Sequence, residues 1–138
     1  MPFIEDVVVH SDDLVDFLPQ FEAILDAEKL VYTIAGHVGD GNIHVIPLMK
    51  LADEKSILQL KNISEKVYAL VQQYGGSLSG EHNDGLIRAP FLHYMYTEKM
   101  LSIFTDIKHA FDPQNIFNPN KKINVTWDYA AKKIDRRK

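Results

Sequence analysis

The spacing of apolar residues along this chain changes period at polar or glycine-rich punctuation, and each change marks an element. The opening stretch FIEDVVV is short and β-branched, which favours a strand. It runs into Ser11, Asp12 and Asp13, side chains that accept hydrogen bonds from the free N–H groups of a helix start. Leu14, Leu18, Phe21 and Leu25 then recur at helical spacing, so a helix with one apolar face is expected over residues 12–27; Pro19 would kink it or move its start later. LVYTIAGHV and NIHVIPLM, separated only by a glycine-rich turn, predict a β-hairpin. Residues 52–74 return to helical period, with Ile57, Leu60, Ile63, Val67, Leu70, Val71 and Tyr74 on one side and Gly75-Gly76 as terminator. GGSLSGEHNDGLIRAPFL reads as a short strand plus a loop. A last helix is expected over residues 97–111, its buried stripe formed by Leu101, Phe104, Ile107 and Phe111, and Asp112-Pro113 stops it.

The resulting order, β-α-β-β-α-(β/loop)-α, implies an α+β fold in which helices cover one face of a small antiparallel sheet, a partial ferredoxin-like arrangement. The residues after Pro113 read as an extended tail in want of a surface. With 138 residues the chain has room for a single domain with a real core.

Composition narrows the chemistry. There is no cysteine, so thiolate chemistry and cysteine-ligated clusters are excluded within this chain, and any metal must be held by nitrogen and oxygen. A net charge of −4 gives no global reason to expect a nucleic-acid partner. The start lacks the basic and apolar regions of a secretory signal, and no apolar run approaches the ~20 residues of a membrane span, which predicts a soluble, intracellular chain. The basic end, AAKKIDRRK, reads as a solvated, frayed terminus.

The candidate chemistry lies in AGHVGDGNIHV, where His37 and His44 stand seven apart. A two-residue type I′ turn on Asp40-Gly41 would set Gly39 opposite Asn42, Val38 opposite Ile43 and His37 opposite His44, close enough for two imidazoles to grip one metal ion. A longer turn would relax that pairing but keep both side chains at the hairpin mouth. A plain surface pair remains an alternative; a calcium loop fits poorly without alternating oxygen ligands, and a phosphate cradle fits poorly without a following helix. SGEHNDG offers Glu81, which would complete a His, His, carboxylate set with open positions for substrate, and His82, which could accept a proton near neutrality. His10, His93 and His109 have no such company and read as structural or surface residues.

GHVGDGNIH, GGSLSGEHNDG and FDPQNIFNPNK together resemble the carboxyl-terminal part of the FAD-linked oxidase family, the group of D-lactate dehydrogenase, the glycolate oxidase FAD subunit and D-2-hydroxyglutarate dehydrogenase. The resemblance runs over about residues 31–122, and the form GEHNDGLIRAPFL is closest to large members fused to an iron–sulfur region. It implies His37, His44 and Glu81 as ligands of a divalent metal, zinc or manganese, with His82 at the substrate as base and Asn42 touching substrate or flavin. EHNDG departs from the commoner EHGIG by adding Asn83 and Asp84 beside the site. Arg88 is a candidate carboxylate clamp for the substrate, because its planar fork matches a carboxylate.

The resemblance further implies oxidation of a D-2-hydroxy acid to the 2-oxo acid with hydride passing to FAD. The FAD itself would be bound mainly by an amino-terminal domain missing from this sequence. Residues 1–122 would then be a partial substrate and metal domain and 123–138 a tail. The chain is expected to be a fragment or subunit, silent alone, that needs the FAD-binding domain and an electron acceptor. It would expose apolar surface able to form a homo-oligomer, within a protein that is cytoplasmic or peripheral to the inner membrane. The rival expectation is a non-catalytic α+β module that binds metal structurally or docks a protein.

Overall fold

A computed structural model describes residues 3–134. Three strands form one antiparallel sheet in the order β1-β3-β2: β1 (Val7–Val8), β2 (Val31–His37) and β3 (Asn42–Leu48). On the outer side of β1 a single bridge, Val8 with Ser77, marks where the chain returns after its second long helix. This is the split βαβ order expected of a partial ferredoxin-like sheet.

Two long helices cover one face. After a 3-10 turn at Ser11–Asp13, α1 (Leu14–Ala27) buries Leu14, Phe17, Phe21 and Leu25. Pro19 is accommodated inside it on the exposed side, four residues after Val15, which is also exposed, so the carbonyl left without an N–H donor faces water. Helix α2 (Glu54–Gln73) opens on a reciprocal cap between Asp53 and Ser56 and buries Ile57, Leu60, Ile63, Val67, Leu70 and Val71. These residues and Val7, Ile43 and Val45 of the sheet form a single apolar core. The Tyr68 hydroxyl, fully buried, donates to the Phe3 carbonyl at 2.7 Å and so pins the segment that leads into β1.

Three sequence expectations are corrected, for the hairpin, for the third helix and for the C-terminal segment. The hairpin does not turn on two residues: a 3-10 turn over Val38–Asp40 and a left-handed Gly41 form the loop, so His37 pairs with Asn42 and Ala35 with His44. Gly41 is obligatory there, because a Cβ would lie 1.8 Å from the Val9 carbonyl oxygen, against which the hairpin tip is pressed. The second correction concerns α3 (Glu98–Phe111). It has the expected span but buries none of its residues, and Ile107 and Phe111 are exposed. Amphipathic spacing predicted a buried stripe; Leu101 and Phe104 are only half-buried, Phe104 against the Tyr96 ring, and the end of the stripe at Ile107 and Phe111 is left uncovered by the described residues.

The segment read as a tail carries a short helix, α4 (Trp127–Ala131), whose Trp127 ring lies 5.6 Å from Phe91, and Ile134 reaches the core. The basic end read as frayed is packed as far as Ile134, with Ala130 and Ile134 buried, because α4 carries it onto the core; residues 135–138 lie outside the described residues. No described helix is long and apolar enough to cross a membrane.

Candidate metal and substrate site

The strand period sorts side chains onto two faces. Opposite the helices, the open face carries His37 and Asn42, Ala35 and His44, then Thr33 with Ile46 and Val31 with Leu48. The two histidines are therefore diagonal rather than directly opposed, and their ring centroids are 5.6 Å apart. Diagonal neighbours on one face remain within reach of long side chains, so the relaxed pairing keeps both imidazoles at the hairpin mouth.

The Glu81 loop meets them there. Glu81 Oε1 lies 3.1 Å from His44 Nε2, 3.5 Å from His37 Nε2 and 3.2 Å from His82 Nε2. The His82 ring stacks on His44, with centroids 4.9 Å apart and planes 11° from parallel. Ligand atoms of His37, His44 and Glu81 all fall within 4.8 Å of one another. Donors at about 2.0–2.2 Å from a tetrahedral zinc sit roughly 3.4 Å apart, so two nitrogens and one carboxylate oxygen fit a divalent ion with small adjustment.

A neighbouring acid that sequence reasoning missed holds the loop in position. Asp6 is fully buried and receives hydrogen bonds from the N–H groups of Gly80, Glu81 and His82 at 2.9, 3.1 and 2.9 Å. The Ser79 hydroxyl and the Asn42 amide donate to it as well, each at 3.1 Å. Burial alone would raise this carboxyl, but the convergent donors outweigh burial and leave it below its ordinary value. The close approach requires glycine at position 80, since a Cβ there would meet Asn42 Nδ2 at 2.5 Å.

Glu5, also missed, completes the setting. Its main-chain carbonyl accepts from His44 Nδ1 at 2.8 Å, and its carboxylate lies 2.8 Å from His82 Nδ1 and 2.8 Å from Arg88 Nη1. The His82 pKa is raised, first through the hydrogen bond to Glu5, against an opposing contribution from desolvation. The available signal was the pair of acids inside an apolar strand: strand period buries one of two adjacent residues, and a buried carboxylate demands donors.

Arg88 is buried and directs its guanidinium to Glu5 and to the Asn83 carbonyl, so the carboxylate it clamps is an internal one; its Nε has no partner among the described residues. Asn42 is buried too, with Nδ2 on Asp6 and Oδ1 unpartnered. Asn83, at a positive φ of 62°, and Asp84 bind Lys122, whose Nζ is 2.6 Å from an oxygen of each, so the unusual pair in EHNDG ties the loop to the C-terminal arm. Of the other histidines, His10 caps the first 3-10 turn by accepting from the Asp12 N–H, and His93 contacts the Pro90 carbonyl.

The family described as FAD linked oxidases, C-terminal domain, matches residues 1–122. A D-2-hydroxyglutarate dehydrogenase of Pantoea ananatis is 40% identical over 121 residues, which cover 88% of this chain and 12% of that protein. A D-lactate dehydrogenase of Anaerostipes hadrus is 31% identical over 84% of this chain and 25% of its own length. The glycolate oxidase subunit GlcD of Bacillus subtilis is 25% identical over 86% of this chain and 25% of its own length. The chain therefore spans from an eighth to a quarter of the length of these relatives.

Proposed function

This chain belongs to the FAD-linked oxidase C-terminal domain family, and on that premise we propose that it holds substrate and metal in a larger flavoprotein. That flavoprotein would oxidise a D-2-hydroxy acid of the lactate, glycolate or 2-hydroxyglutarate class to the 2-oxo acid. The observation that carries the proposal is the convergence of His37, His44 and Glu81 within 4.8 Å, with His82 Nε2 3.2 Å from the same Glu81 oxygen.

His37, His44 and Glu81 would hold the divalent ion, zinc or manganese. When bound, the ion would supply Lewis acidity toward the substrate's oxygens and FAD would supply a two-electron acceptor. His82 Nε2 takes the hydroxyl proton, so that proton and hydride leave by separate routes. Asn42 Oδ1, buried and lacking a protein partner, would accept an N–H or O–H from flavin or substrate. Arg88 acts from behind, holding Glu5 against His82 rather than gripping substrate.

The three glycines nearest the histidines lie at or beside a strand-to-strand turn, not a strand-to-helix turn, so a pyrophosphate cradle is assigned to the flavin-binding part of the full-length protein. Val31, Ile46 and Leu48 on the open face, with Ile107, Phe111 and Phe117 around α3, form exposed apolar surface that would pack against that part or, in its absence, against a second copy.

Anaerobic flavin bleaching in the complete flavoprotein tests the reading. D-2-hydroxyglutarate, D-lactate or glycolate should bleach the wild type, and His37→Ala, His44→Ala and Glu81→Gln should abolish bleaching with FAD content unchanged. Wild-type bleaching rates in all three variants would overturn it.

A further inference from the structure

We infer that Glu5 is the positioning residue for His82: it fixes which imidazole nitrogen carries the proton and so leaves Nε2 free to face the substrate. His82 lies between two carboxylates, with Nδ1 2.8 Å from Glu5 Oε2 and Nε2 3.2 Å from Glu81 Oε1. A neutral imidazole has one N–H to donate, and the partner that binds it better determines the tautomer. Glu5 is the stronger acceptor, because its side chain is 14% exposed against 49% for Glu81 and its contact is shorter. The proton belongs on Nδ1.

Glu5 is itself immobilised. Arg88, with a side chain 6% exposed, donates to its other carboxylate oxygen at 2.8 Å, so the two oxygens are divided between a guanidinium and an imidazole. Arg88 is anchored in turn on the Asn83 carbonyl, one residue beyond His82. Glu5 also orients His44, but by its main-chain carbonyl. This division separates two roles at one position: the backbone of Glu5 serves the metal ligand, and its side chain serves the base. Orienting groups behind an imidazole typically change affinity or activity about 10–100-fold when removed.

The inference rests on the proposed function only for its effect on turnover, and the tests keep the two apart. Long-range 15N–1H correlation spectra of the full chain without metal, at a pH where imidazoles are neutral, report the His82 tautomer, with His82→Gln identifying its signals. The expected result is Nδ1–H in wild type and a shift toward Nε2–H in Glu5→Gln, whose amide offers one oxygen to both Arg88 and His82. Should Glu5→Gln fail to fold because Arg88 loses its counter-charge, Glu5→Gln/Arg88→Met removes both charges and should give the same shift. Zn2+ binding to the full chain should be lost in His37→Ala, a variant that leaves His82 and Glu5 in place and should keep the His82 proton on Nδ1. In the complete flavoprotein, Glu5→Gln should lower kcat by about 10–100-fold with little change in KM.

Nε2–H on His82 in wild type, or an unchanged tautomer in the folded variants, would overturn the role of Glu5 and leave the metal reading standing. Absence of Zn2+ binding by wild type would instead overturn the metal reading, while the tautomer still decides for or against Glu5.

Discussion

On its covered face the sheet presents Val7, Ile43 and Val45 to α1 and α2, none more than 3% exposed, whereas one residue along the same β3 the open face presents Asn42, His44, Ile46 and Leu48. The covered side is apolar and closed by helices; the open side collects imidazoles and is bounded by the Glu81 loop. Strand alternation alone separates them, and this separation teaches that the residues holding the fold and the residues of the proposed site can be different members of one strand. Perturbing one face should leave the other largely intact.

The largest expected effect tests the covered face. Phe21→Ala should cost about 3–5 kcal/mol in denaturant unfolding, since it opens a cavity among buried apolar neighbours; a loss below ~1 kcal/mol would mean the helices do not hold the sheet. On the open face, His37→Ala should weaken Zn2+ binding in calorimetry by at least about 100-fold, more than a typical second-layer residue, with the metal-free unfolding midpoint unchanged. A metal-free variant that unfolds would erase the comparison.

Asp6 lies between the two faces and sharpens the contrast. Asp6→Asn leaves buried N–H groups facing an amide N–H, an expected cost of about 1–3 kcal/mol. Its pH dependence has a definite sign: the folded carboxyl titrates below its ordinary value of 3.8, so the unfolded chain binds the proton first. The stabilisation is complete above that value and is lost as pH falls through the lower folded one. Acid unfolding followed by circular dichroism should be shallower at its acidic end in Asp6→Asn than in wild type. Lys122→Met releases the C-terminal arm and leaves the buried Asp84 carboxylate without its lysine, at an expected cost of about 1–2 kcal/mol in denaturant unfolding.

Much of this was legible in the residues. The helical periods of α1 and α2, the hairpin and the trio His37, His44 and Glu81 follow from apolar spacing, glycine punctuation and the chemistry of the motifs. The register was not, because GDGN permits both a two-residue turn and a longer loop, and the choice depends on Gly41 meeting the Val9 carbonyl, a contact 32 residues away in sequence. Nor were Glu5 and Asp6, whose partners lie at positions 82 and 80–82. Local pattern carries period, not the identity of a distant neighbour. For α3 the period was right and burial did not follow, since an apolar stripe states a demand for a partner without naming one.

The long separation between Asp6 and its loop also orders events in time. His37 and His44 are brought together by a short hairpin, but Glu81 arrives only when a segment more than 70 residues downstream closes onto Asp6. Loop closure of that length comes late and is slow relative to hairpin formation. On the ribosome the proposed three-group grip would therefore be limited to two nitrogens until residue 82 has cleared the exit tunnel, so any cation held by all three groups would be taken up after the hairpin has formed.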